Sequence, residues 1–153
     1  MDNKIETTAE HVEAAAMRLG RAVYTGDGPR PGPEIAPLPD AITKKPFEEK
    51  SPAEWAYERL ILYIKNFEEL LDGEQEVAMG LTDTGAGVLR IEGLGYFDPD
   101  IVTFYGTDGT GARIQLVQHV TQLNVVLRAT PKPDQAAPAR RIGFDLAKGL
   151  DEA

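Results

Sequence analysis

Cysteine is absent from the 153 residues of the chain. Disulfides, thiolate metal sites and a cysteine nucleophile are therefore excluded. No apolar run approaches the ~20 residues that a membrane-spanning helix requires. The start, MDNKIETTAEH, has neither the basic n-region nor the apolar h-region of a secretory signal. The expectation from these absences is a cytoplasmic protein that does not engage membrane. Bases are scarce as well: 16 Lys and Arg stand against 25 Asp and Glu, for a formal charge of −9. Nucleic-acid affinity rests on phosphate neutralisation by Lys and Arg, so the acidic balance disfavours it.

What is present is unevenly spread. Six of the eleven prolines fall between Gly26 and Lys50, and three more between Pro131 and Pro138. This divides the chain into a short N-terminal helix (1–25), a Pro-rich linker (26–50), a packed domain (51–130) and a C-terminal tail (131–153). The leader carries a capping-box pattern, Thr7-Thr8-Ala9-Glu10, followed by Val12, Ala15, Ala16, Leu19 and Val23 at helical spacing. A helix over 8–20 is predicted, and it is a candidate docking peptide for a protein partner. The linker reads as a semi-rigid, solvated spacer. In the tail, Ile142, Phe144 and Leu146 alternate as in a strand, while Leu146 and Leu150 are one helical turn apart; both readings stay open.

Ser51-Pro52-Ala53-Glu54 is a second helix start, with Glu54 placed to reach back to the cap. Tyr57, Leu60, Ile64, Phe67 and Leu71 recur at spacings of three and four, and Asp72-Gly73 supplies a left-handed stop. Trp55 lies off this stripe and is a candidate interface residue. From Glu76 to Arg128, short apolar runs alternate with the turn clusters TDTGAG, FDPD and GTDGTG, leaving no room for crossover helices. The fold class read from this is α+β: an amphipathic helix, then a five-stranded, strongly bent antiparallel small β-barrel with Pro-rich flexible tails. Only about three residues near His119 and Thr121 separate the last two strands, which fits a tight helical turn.

Two resemblances follow. The run SPAEWAYERL, then FEELLD, GYFDPDIVTFYG and QLVQHVTQLNVVL, resembles a bacterial domain-of-unknown-function family over about Ser51 to Arg128. The order of one helix, five short bent strands and a tight turn before the last is remotely similar to the Sm-like fold, which includes the bacterial RNA chaperone Hfq. That likeness implies a ring built by pairing the fourth strand of one copy with the fifth of the next. It implies RNA or partner contacts at Phe97, Asp98 and His119, and the RNA-binding reading adds Arg113 and Gln118 to them. Gln118 stands where that family has a lysine.

Asp83-Thr84-Gly85-Ala86 resembles the tetrad of retroviral-type aspartic proteases, in which paired carboxylates share a proton. A single strand before it, after a long helix, departs from that family's hairpin, and a turn wants Asp, Thr and Gly for local reasons. Asp98, Asp100, Glu92 and His119 are oxygen and nitrogen donors, but turn carboxylates without a ligand run carry no metal expectation. Gly106–Gly111 joins strand to strand and reads as a hairpin loop. The reading that emerges is a non-enzymatic, self-associating scaffold or adaptor without cofactor or metal. Val117, Val126 and Trp55 would lie at the homo-oligomer interface, and residues 8–20 or the C-terminal tail would meet partners. A single-stranded RNA binder and a protease using Asp83 are the alternatives.

Overall fold

The computed structural model describes residues 20–26, 32–35, 37–80 and 87–152. Its helices are α1 (Asp40–Thr43), α2 (Pro52–Glu69) and α3 (Ile142–Glu152). Its strands are β1 (Gln75–Gly80), β2 (Val88–Phe97), β3 (Ile101–Thr107), β4 (Arg113–His119) and β5 (Val126–Pro131). Short 3-10 turns cover Pro33–Ile35, Phe47–Glu49 and Val120–Gln122. The predicted leader helix lies outside the described residues up to residue 19, and so does the Asp83–Ala86 tetrad.

α2 begins as its sequence predicts. Ser51 is extended, its Oγ accepts the Glu54 N–H at 3.0 Å, and Pro52 takes the first helical position. The reciprocal half of the capping box does not form, because the Glu54 carboxylate instead accepts from Lys45 Nζ at 3.0 Å. The helix ends at Leu70 with ordinary right-handed backbone, and Gly73 is not left-handed, contrary to expectation.

The five strands form one antiparallel sheet in the order β4-β3-β2-β1-β5. β2 is the bend. Its first residues, Val88 and Leu89, pair with β1, and from Arg90 onward it pairs with β3, with a register shift between Ile91 and Gly93. An extra residue at a bulge sharpens strand twist. Gly106 lets the two backbones meet there, since a Cβ on it would lie 2.1 Å from the Arg90 carbonyl oxygen. One face of the sheet packs on α2 around Ile64, Val77, Met79, Leu89, Ile91, Val102 and Phe104. The curled sheet stays open among the described residues: β4 and β5 are its two edges, and no ladder there joins them. A closed barrel is therefore not formed by backbone pairing within one chain.

Both flanking segments depart from the sequence reading. The stretch expected as a solvated linker folds back on α2: Ile42 is fully buried, and Phe47 packs on Trp55 with ring centroids 5.0 Å apart. Buried Lys50 donates to the Ile42 carbonyl and pairs with Glu58 at 2.6 Å. Residues 131–153, expected as a flexible tail, carry α3, which settles the strand-or-helix alternative for 140–150 as helix from Ile142 on and packs against α2. The cause is long-range. Arg141 Nη1 donates to the Gln75 carbonyl at 2.7 Å, Arg141 Nη2 to that of Asp72 at 2.8 Å, and Arg140 Nη2 to that of Ile91 at 2.6 Å. Gly143 then lies directly on the α2 backbone, where a Cβ would meet Lys65 N at 2.6 Å.

Candidate functional site

β4, the 3-10 turn Val120–Gln122 and the β2–β3 turn meet at one end of the sheet. His119 pairs with Ile101 at the end of the β3–β4 ladder and caps the 3-10 turn. Its Nδ1 accepts the Thr121 N–H at 3.2 Å and lies 2.8 Å from the Thr121 hydroxyl. An amide can only donate, so Nδ1 carries the lone pair and the ring proton sits on Nε2, which faces Asp100 Oδ2 at 3.0 Å. The Gln122 side chain accepts the His119 N–H at 2.9 Å, and Val120 N–H donates to the Asp100 carbonyl at 2.8 Å. The tight turn predicted here is thus a complete capping box, with both nitrogens of His119 engaged.

The β2–β3 turn, Phe97-Asp98-Pro99-Asp100, is tied to the start of α2. Ser51 Oγ donates to Asp98 Oδ1, and Ala53 N–H donates to the Pro99 carbonyl at 3.0 Å. Phe97 stands 75% exposed beside this anchored turn. Phe97, Asp98 and His119 are therefore brought together. Arg113 is not: it pairs with Thr107 at the opposite end of β4, about 20 Å from His119 for six strand residues. Gln118 points inward, and its Oε1 is buried without a hydrogen-bond partner among the described residues.

The three candidate interface residues divide. Val117 on β4 is 56% exposed and Val126 on β5 is 43% exposed, so each open edge carries an apolar side chain in solvent. Beside β5 an apolar cavity of about 230 Å3 opens between Leu60, Tyr63, Ile64, Val125 and Leu127. Trp55 is only 8% exposed, packed beneath Phe47 with Lys50 Nζ 4.4 Å from its ring centroid and Arg59 5.3 Å away. Its position off the sheet-facing stripe reflects a second buried face of α2.

Sequence reasoning missed two buried carboxylates of α2, Glu58 beside Lys50 and Glu68 beside Gly143. Glu58 lies three residues before Ile61 and Glu68 four after Ile64, so helical spacing from those two buried residues places both inward. Burial raises the Glu58 carboxyl, and the hydrogen bond from Lys50 opposes it. Burial pushes Glu68 up to about 7, against the hydrogen bond from Gly143 N–H at 2.8 Å and the charge of Arg141. Among the described residues no cluster of three or more His, Asp or Glu could hold a metal ion, and no helix is long and apolar enough to cross a membrane.

A family model described as a family of unknown function (DUF6173) matches residues 48–145, from the approach to α2 into the first turn of α3. No curated protein and no solved structure matches the chain. The chain belongs to that family of unknown function, as the resemblance of its motifs implied.

Proposed function

We propose that this family member is a non-enzymatic, self-associating module that serves as a scaffold or adaptor. Copies meet edge to edge, β4 of one against β5 of the next, and complete Sm-like barrels in a closed assembly. One observation carries the reading: the sheet is open at these two strands, and each presents an exposed valine. An edge strand leaves a row of N–H and C=O groups unpaired, and natural proteins cover or charge such edges. β4 reads RIQLVQH, with a single charged residue at its far end, so the edge is not charged along its length. The apolar cavity beside β5 offers buried surface to the incoming strand. Sedimentation of the full chain at micromolar concentration tests this. An oligomer is expected, and a monomer overturns it.

A second reading, a single-stranded RNA binder, is favoured by the exposed Phe97 beside the His119 turn, since bases stack on exposed aromatic rings. The engagement of both His119 nitrogens and the distance of Arg113 weigh against it. Phe97→Ala is expected to weaken any gel-shift of oligoribonucleotide more than His119→Ala does. No shift at low salt ends this reading.

A further inference from the structure

A groove of about 260 Å3 runs along α2 and shares Leu60 and Tyr63 with the cavity beside β5. Trp55, Leu60, Leu62 and Tyr63 wall it from the helix, and Leu38 and Phe47 from the Pro-rich stretch. Gly20, where the described part of the chain begins, is itself on the wall.

We propose that this groove seats the chain's own leader, residues 8–19, with the stripe Val12, Ala15, Ala16 and Leu19 laid against α2. Connectivity selects this occupant. The leader continues from Gly20, so it reaches the groove without any linker to span. Its chemistry matches: the mainly apolar walls, with Glu34 and Arg59 among them, suit a stripe that is narrow because half of it is alanine. Energetics favour it too. A helix of this length is marginal alone, whereas tethering presents it to the groove at an effective concentration on the order of millimolar. The inference does not rest on edge-to-edge assembly, although Leu60 and Tyr63 also line the cavity beside β5.

The chain has one tryptophan and no cysteine, so a Glu13→Cys chain carrying a nitroxide quencher reports the contact directly. Seating predicts that Trp55 emission is largely lost in the labelled full-length chain and that dilution does not restore it. Adding Leu19→Asp, which alters only the leader, restores emission. Leu62→Asp restores it from the groove side, with circular dichroism recording that the fold is retained. Undiminished emission in the labelled chain overturns the proposal. Quenching that labelled Trp55→Phe chains confer on unlabelled ones, and that fades on dilution, overturns it as well by assigning the groove to another copy's leader.

Discussion

Two carboxylates on α2 set the chemistry at the residue scale, because each is buried where water cannot solvate its charge. Glu68 is 1% exposed, and its second oxygen, Oε2, has no partner among the described residues. Its folded-state value of about 7 lies above the ordinary 4.5, so the folded chain holds that proton more tightly than the unfolded chain. The stabilisation is complete below 4.5 and fades as pH rises through 7, a loss of about 3 kcal/mol at most. Glu68→Gln keeps an acceptor for the Gly143 N–H and removes the titration. Relative to wild type, the variant is expected to gain about 2–3 kcal/mol of urea stability between about pH 5 and about pH 8.5. A parallel pair of profiles contradicts it. For Glu58 the partner matters more than the pH. Lys50→Met strands its charge beneath α1 and is expected to cost about 3–5 kcal/mol, read by urea unfolding together with a shift in Trp55 emission.

Helix α3 depends on one residue without a side chain. A methyl on Gly143 would meet Lys65 N at 2.6 Å and Lys65 Cα at 2.7 Å, both backbone atoms of a helix that cannot yield. Gly143→Ala is therefore expected to push α3 off α2, costing about 1–3 kcal/mol and raising amide exchange across Ile142–Glu152. Unchanged exchange there sinks the prediction. Elements with local signals were legible in the sequence. Ser51-Pro52 announced α2, FDPD and GTDGTG announced two hairpin turns, and the three-residue gap after His119 announced the 3-10 turn. α3 was not, because Ile142, Phe144 and Leu146 fit two periods. The deciding contacts, from Arg140 and Arg141 to Ile91, Gln75 and Asp72, join residues about fifty to seventy positions apart. Trp55 was misplaced for a related reason: its cover comes from Phe47 and Lys50, in a proline-rich stretch whose composition reads as spacer. The candidate site was half legible, with Phe97, Asp98 and His119 together and Arg113 at the far end of its strand.

For the whole molecule, β4 and β5 are different surfaces, so the proposed pairing is head-to-tail and each edge can be blocked separately. Val117→Lys blocks β4 and Val126→Lys blocks β5. Each variant alone is expected to sediment as a monomer, because like charges and lost apolar contact oppose pairing, while an equimolar mixture forms a heterodimer through the edges left intact. Assembly that survives both substitutions rejects the edge model. The same sheet order governs synthesis. β1 pairs with β2 at only two positions, Met79 and Gly80, but with β5 along all six of its residues. A ribosome that has translated as far as Leu123 therefore exposes a nascent chain whose oldest strand still awaits its principal neighbour. Until Val126–Pro131 clears the exit tunnel, that waiting edge is a template for misassembly, and the vulnerable interval ends only with the last strand.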